Sequence, residues 1–223
     1  GVSRYIPEGE VCDFSKKALA AVMFTLKGLP FIYQGQEIGM ENKTFTSLDE
    51  IDDISTLDEY QVAIRAGYTP QEALKVASSF SRDNARTPFQ WSSAKNDGFS
   101  EAKPWLPVNP NYKEINLEAQ RNDPDSVYQF YRSLIALRKD PQYRETLLYG
   151  TTVPYREDVH NLIAFKRQSE EMTLLLLSNF RTSPLSITLD APYRKVVFGN
   201  DTNLEGTDTE ITLKGYQTVI LQL

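Results

Sequence analysis

The chain has 223 residues, 40% hydrophobic and 24% charged, which suits one large globular domain or two small ones. Thirty acidic residues against 24 basic ones leave a net charge of −6, which argues against a nucleic-acid partner because phosphates demand a basic face. The single cysteine, Cys12, excludes an intrachain disulfide, and together with the single histidine, His160, it cannot make a zinc ligand set.

No apolar run approaches the length of a membrane span, so no membrane partner is expected. The opening residues, Gly-Val-Ser-Arg-Tyr, lack the basic region and apolar stretch of a signal peptide. With one cysteine besides, a cytoplasmic location is expected. No Gly-rich phosphate loop is present, and no cofactor is expected.

In chain order, Ser15 to Lys27 reads as a helix. Ser15 is its expected N-cap, Ala18, Leu19, Val22, Met23 and Leu26 recur at helical spacing, and Gly28 is the stop. Leu29 to Tyr33 is a continuous apolar run between Pro30 and Gly35, the pattern of a strand covered on both faces in a parallel sheet. Leu57, Tyr60 and Ile64 suit one amphipathic helix. Pro70 followed by Ala73, Leu74 and Ala77 suits another.

Between Phe80 and Leu117 prolines, two tryptophans and Asn, Asp and Gly residues predict a long irregular excursion, and such loops often carry function. A helix is predicted from about Asp125 to Lys139, ended by Pro141. Strand-like segments then follow at Leu147–Val153, Leu162–Lys166, Met172–Asn179, Leu185–Leu189, Lys195–Phe198, Ile211–Leu213 and Thr218–Leu223. Turn residues separate them, which predicts a small antiparallel sandwich and a boundary near residue 145.

Two runs stand out: Gly28-Leu29-Pro30-Phe31-Ile32-Tyr33-Gln34-Gly35-Gln36-Glu37-Ile38-Gly39-Met40, and Ser81-Arg82-Asp83-Asn84-Ala85-Arg86-Thr87-Pro88-Phe89-Gln90-Trp91. With Lys103-Pro104-Trp105 and Val108-Asn109-Pro110-Asn111-Tyr112, they resemble the last third of an α-glucosidase of glycoside hydrolase family thirteen, in the oligo-1,6-glucosidase and dextran glucosidase branch.

That resemblance implies an α+β chain: the C-terminal part of a (β/α)8 barrel over residues 1–144, then a β-sandwich over 145–223. Leu29–Tyr33 would be the eighth barrel strand, residues 34–123 its enlarged loop and Asp125–Lys139 the last barrel helix. Val2-Ser3-Arg4-Tyr5 resembles the segment just after the family's Asn-His-Asp motif. The nucleophilic Asp, the acid/base Glu and the third active-site Asp are therefore expected to precede the residues given.

The resemblance also implies roles. Arg86 would hydrogen-bond the non-reducing glucose unit, its planar fork holding several hydroxyls at once; a structural pairing with Asp83 is the alternative. Glu37 would lie toward the aglycone side, or else cap a turn. Arg82 and Asp83 are expected to form a local ion pair. Trp91 and Trp105 are expected to anchor loops rather than stack on sugar, and His160 to be a solvated turn residue. No catalytic residue is assigned.

The expected activity is hydrolysis of α-1,6-glucosidic bonds in short oligosaccharides by the parent enzyme, with the chain alone inactive. The expected partner is an α-linked gluco-oligosaccharide, and the incomplete barrel face is expected to self-associate or stay loosely ordered. The alternatives are a non-catalytic relative of the transporter heavy-chain kind, or a trehalose-6-phosphate hydrolase or sucrose isomerase. A free-standing carbohydrate-binding module fits poorly with barrel-like sequence ahead of the sandwich.

Overall fold

A computed structural model describes residues 5–223. It forms two compact units that do not follow chain order. One comprises Ile32–Tyr128 with the segment ending at Glu8; the other joins Gly9–Phe31 to Gln129–Leu223.

In the second of these, helix α1 spans Asp13–Thr25. Cys12 is its N-cap and Ser15 sits three residues inside. The expectation for Ser15 is corrected: its hydroxyl reaches back to accept the Cys12 amide at 3.0 Å, as the inner member of a capping box does. Ala18, Ala20, Ala21 and Phe24 are buried.

The expected strand Leu29–Tyr33 is not formed. These residues have no regular structure, and Leu29 and Phe31 are 77% and 81% exposed. A strand exists only through pairing, and no described residue pairs with this segment.

Helix α5, Val127–Lys139, matches its expected span closely. Pro141 then gives way to a further short helix, α6, Arg144–Leu148. The expected strand Leu147–Val153 therefore starts only at β1, Thr151–Pro154. Leu147 is claimed by the helix because Tyr143 and Leu147, four residues apart, both enter one core.

The remaining strands fall where their patterns place them: β2 Leu162–Gln168, β3 Thr173–Asn179, β4 Leu185–Thr188, β5 Lys195–Gly199, β7 Glu210–Leu213 and β8 Thr218–Gln222. One two-residue strand, β6 at Glu205–Gly206, carries no sequence signal of its own. It depends on Gly206 at φ +115°, where an added Cβ would lie 1.9 Å from the Glu210 carbonyl oxygen.

The sandwich has a five-stranded sheet, β1-β2-β3-β8-β5, and a three-stranded sheet, β4-β7-β6; all the pairings are antiparallel. The larger sheet is covered on both faces. Leu175, Leu177, Val219 and Leu221 meet Leu185, Ile187, Ile211 and Leu213 of the smaller sheet. Leu174, Leu176, Phe165 and Ile220 pack against Tyr143 and Leu147, with Val22 and Leu137 beside them. This double burial accounts for the unbroken Leu174–Leu177 run in place of alternation.

The other unit is assembled differently. Helix α2 spans Ile54–Arg65 and turns Leu57, Tyr60 and Ile64 partly inward. Helix α3 spans Pro70–Ser79 and opens with a capping box, in which Thr69 accepts the Glu72 amide at 3.3 Å and Glu72 accepts the Thr69 amide at 2.9 Å. Beyond it the chain is mainly 3-10 turns and loops, with one short helix, α4, Leu117–Gln120. Gln90 stitches this region: its side-chain amide donates to Asn111 Oδ1 at 3.1 Å and the Ile115 carbonyl at 2.6 Å.

Candidate functional site

The two distinctive runs lie in the loop-rich unit. Gly35 and Gly39 are both left-handed, at φ +86° and +68°, and enclose a single 3-10 turn, Gln36–Ile38. At Gly35 a Cβ would lie 2.4 Å from the Met40 sulfur, so the site is closed to side chains as well as strained for them. Ile38 is fully buried, and its carbonyl accepts from Gln120 Nε2 at 2.8 Å. Glu37 is half-buried on this turn, and its Oε2 is enclosed without a hydrogen-bond partner.

The second run forms a 3-10 turn, Arg82–Ala85. Its centre is Asp83, which is completely buried. One carboxylate oxygen accepts the Asp52 and Asp53 amides at 2.7 and 2.9 Å, and the other accepts Arg86 Nη1 at 3.2 Å. The expected Arg82–Asp83 pair is thus corrected. Sequence neighbours point apart on a helical turn, whereas residues three apart share a face.

Arg82 is instead held through its backbone amide, which donates to Asp53 Oδ2 at 3.1 Å. Burial pushes the Asp53 carboxyl up, but the Arg82 amide, the Thr56 hydroxyl and the charges of Arg82 and Arg86 outweigh it and hold Asp53 below the usual carboxylate range.

Around this turn lies an open cleft of about 470 Å³. Tyr33, Asn42, Phe80, Arg82, Asn84 and Arg86 line it, and among the described residues no carboxylate belongs to its wall. The amide side chains are spent on the frame. Asn42 donates to the Ser79 carbonyl at 2.9 Å; Asn84 donates to the Ser78 carbonyl at 2.8 Å and accepts the Lys43 amide at 3.0 Å. The unspent donors are therefore mainly guanidinium N–H groups. Arg86 has committed one nitrogen, and the Arg82 guanidinium has no hydrogen bond or ion pair among the described residues.

The cleft holds Arg86 but not Glu37, so the structure does not bring those two candidates together. Arg82, expected to pair with Asp83, lines the cleft instead. The i, i+3 spacing of Asp83 and Arg86 was the signal that could have released it. Trp91 and Trp105 are 49% and 68% exposed, and the Trp91 ring leans on Phe89 at 4.6 Å between centroids. His160 is exposed at a turn.

Asp97 is a further buried carboxyl that the sequence did not single out. It lies in the left-handed pair Asn96–Asp97, and neither side-chain oxygen has a hydrogen-bond partner. Burial pushes it up to about 6, against a weaker pull from the nearby Phe99 amide, whose hydrogen bond goes to the Asn96 carbonyl. No group of three or more His, Cys, Asp or Glu that could hold a metal occurs among the described residues. No described helix is long and apolar enough to cross a membrane.

The family described as "Alpha amylase, catalytic domain" matches residues 2–149, and the "Alpha-amylase SusG C-terminal domain" matches residues 162–220. The probable oligo-1,6-glucosidase 2 of Bacillus subtilis is 43% identical over 180 residues, which are 80% of this chain and 32% of that protein. The probable oligo-1,6-glucosidase 3 of the same organism is 39% identical, over 98% of this chain and 40% of its own length.

Among solved structures, the trehalose-6-phosphate hydrolase of Bacillus licheniformis superposes with a TM-score of 0.91 at 36% identity, over 99% of this chain and 40% of that one. Isomaltulose synthase from Klebsiella sp. LX3 gives 0.85 at 34% identity, over 94% and 38%. This chain thus spans well under half the length of the proteins it resembles. On the match of the catalytic-domain family to most of its length, the chain belongs to the α-amylase family of glycoside hydrolases, family thirteen.

Proposed function

We propose that this chain supplies one wall of the substrate pocket, and the C-terminal sandwich, of a retaining α-glucosidase acting on α-1,6 bonds of short gluco-oligosaccharides. The observation that carries the reading is the Arg82–Arg86 cleft, whose amides are committed to the frame while its guanidinium donors remain open. Such donors suit the hydroxyls of a sugar ring, which are neutral acceptors arranged around a plane. Arg86 binds the terminal glucose, steadied by Asp83. Glu37 lies outside this cleft, with one carboxylate oxygen enclosed and without a hydrogen-bond partner, and is assigned to the sugar beyond the scissile bond. The enzyme works in the cytoplasm.

Retaining hydrolysis needs two carboxyls about 5–5.5 Å apart, one as nucleophile and one as acid/base. Among the described residues, the cleft wall contributes none. The chain alone is therefore a binding half-site without turnover. Purified chain, assayed with isomaltose and p-nitrophenyl α-glucoside, is expected to be inactive while NMR shifts report weak isomaltose binding at Arg82 and Arg86. Turnover at about 1 per second or faster, or isomaltose shifts confined to other residues, would overturn the reading.

A further inference from the structure

Asp53 is the N-cap of helix α2, yet its side chain does not serve the backbone of that helix. Its carbonyl accepts the Thr56 and Leu57 amides at 3.0 and 3.2 Å, whereas its carboxylate makes no capping hydrogen bond. An N-cap aspartate ordinarily turns its carboxylate onto the second or third amide of its own helix. Here Oδ2 is turned elsewhere. It accepts the Arg82 backbone amide at 3.1 Å, 29 residues along the chain, and the Thr56 hydroxyl at 2.9 Å. The return contact runs the opposite way, because Asp83 Oδ2 accepts the Asp52 and Asp53 amides. Two buried carboxylates thus each hold the backbone of the other's segment.

We infer that Asp53 is a positioning residue for the Arg82–Arg86 cleft: through the Arg82 amide it fixes the turn that carries both arginines, and its charge orients their guanidiniums. The turn Arg82–Ala85 is tied at both ends, by Asp53 at the Arg82 amide and by Asp83 at the Arg86 guanidinium. Burial works against a charge on Asp53, but the Arg82 amide, the Thr56 hydroxyl and the charges of Arg82 and Arg86 outweigh it, so the group is ionised at neutral pH. The Arg82 guanidinium makes no hydrogen bond or ion pair among the described residues, which leaves the Asp53 charge to orient it. A cap given up for a distant amide marks a contact that serves the turn rather than the helix. For the arginine positions the inference stands on this geometry; for the sugar it rests on the proposed function.

The test compares Asp53→Asn, Asp53→Ala and Thr56→Val in the chain itself, by NMR of backbone amides and arginine Nε–Hε groups, with and without isomaltose. An asparagine Oδ1 can stand where Oδ2 stands and keep both hydrogen bonds, so Asp53→Asn removes the charge alone. It should move the Arg82 and Arg86 Nε–Hε signals while the Arg82 amide stays protected from exchange. Asp53→Ala should move the same signals and also speed exchange of the Arg82 amide about tenfold or more. Isomaltose binding should weaken about threefold in the Asn variant and about tenfold in the Ala variant. Thr56→Val removes only the hydroxyl. It should lower the melting temperature and leave the Nε–Hε signals and the affinity unchanged.

Nε–Hε signals that stay in place in Asp53→Asn would overturn the inference. So would a Thr56→Val variant that reproduces the effects of Asp53→Asn, since the carboxylate would then be a packing element of α2 only. If Asp53→Ala does not fold, the Asn variant decides alone. Nε–Hε signals that move in the Asp53 variants of a chain that isomaltose does not perturb would leave Asp53 as the positioning residue and remove the proposed function instead.

Discussion

Arg138 and Arg167 converge on the carbonyl end of helix α1 from two different elements. Arg138, on α5, donates to the carbonyls of Phe24, Leu26 and Gly28. Arg167, on β2, donates to Thr25 at 2.7 Å and to Gly150 at 2.8 Å. Both are buried, Arg167 completely, and α1 has no basic residue in its own last turn. The two guanidiniums supply from outside the cation and the donors that a helix C-terminus lacks. Burial lowers the proton affinity of both, and for Arg167 the Arg138 charge adds to it.

Replacing Arg167 by Met keeps most of the stem but strands the Thr25 and Gly150 carbonyls. The expected loss is about 2–4 kcal/mol, as for buried hydrogen bonds to a charged group left without a partner. Urea denaturation checks it. Arg167→Lys should recover only part, since one ammonium cannot span two carbonyls the way a fork does. Unchanged stability in the Met variant would show that water replaces the guanidinium.

Asp97 sets a pH dependence of unusual sign. Its carboxyl is raised in the folded protein, to about 6 from an ordinary 3.8. The folded state therefore holds this proton more tightly than the unfolded chain. Its contribution is complete below about pH 4 and is lost as pH rises through 6, on the order of 1–3 kcal/mol. Asp97→Asn should remove that slope and exceed wild-type stability at pH 8, because Asn accepts the left-handed backbone at φ +53°. Denaturation curves at pH 5 and pH 8 decide; a wild-type slope retained by the Asn variant would exclude Asp97 as its source.

Arg86 and Arg82 should separate function from stability. Arg86 is 39% exposed at its side chain, and Asp83 keeps two amide donors without it, so Arg86→Ala should cost about 1 kcal/mol of stability or less. In an enzyme whose catalytic domain is complete, the same change should lower kcat/KM by about 2–4 kcal/mol of transition-state stabilisation. Arg82→Ala should act in the same direction at a small stability cost, since its guanidinium makes no hydrogen bond or ion pair among the described residues and acts on Asp53 only through its charge. Melting curves and steady-state kinetics on the two variants make the comparison. Kinetics unchanged in both would reduce the cleft to a structural feature.

Strand β3 should be equally intolerant on its two faces. Leu174→Ala and Leu175→Ala each remove a fully buried side chain from a different core, and each should cost about 2–5 kcal/mol. A one-sided sheet would show a large loss at only one of them. Paired urea titrations distinguish the cases.

Local chemistry was readable where it is self-contained. Thr69, Pro70 and Glu72 announce the start of α3, and the Thr173–Asn179 run announces a strand. It failed where the outcome depends on a neighbour elsewhere in the chain. Leu29–Tyr33 and Leu174–Leu177 look alike in sequence, yet only the second meets partners, in β2 and β8. Leu147 reads as strand until Tyr143 and the sheet beneath claim it for a helix. The motif singles out Arg86, which lines the cleft. Arg82 was obscured by assigning Asp83 to its adjacent residue, and the burial of Asp97 was hidden because Asn-Asp-Gly reads as an ordinary surface turn.

The way Asp83 is held bears on how quickly the cleft can respond. Its charge is already shared with the Asp52 and Asp53 amides before Arg86 contributes its single nitrogen. If Arg86 changes rotamer, no bare carboxylate is left in the interior, so the barrier to the change is that of one partly solvated contact. Side-chain rotations of that kind belong to the picosecond-to-nanosecond range. Arg86 is a tethered arm, ready to change rotamer much faster than any enzyme turns over.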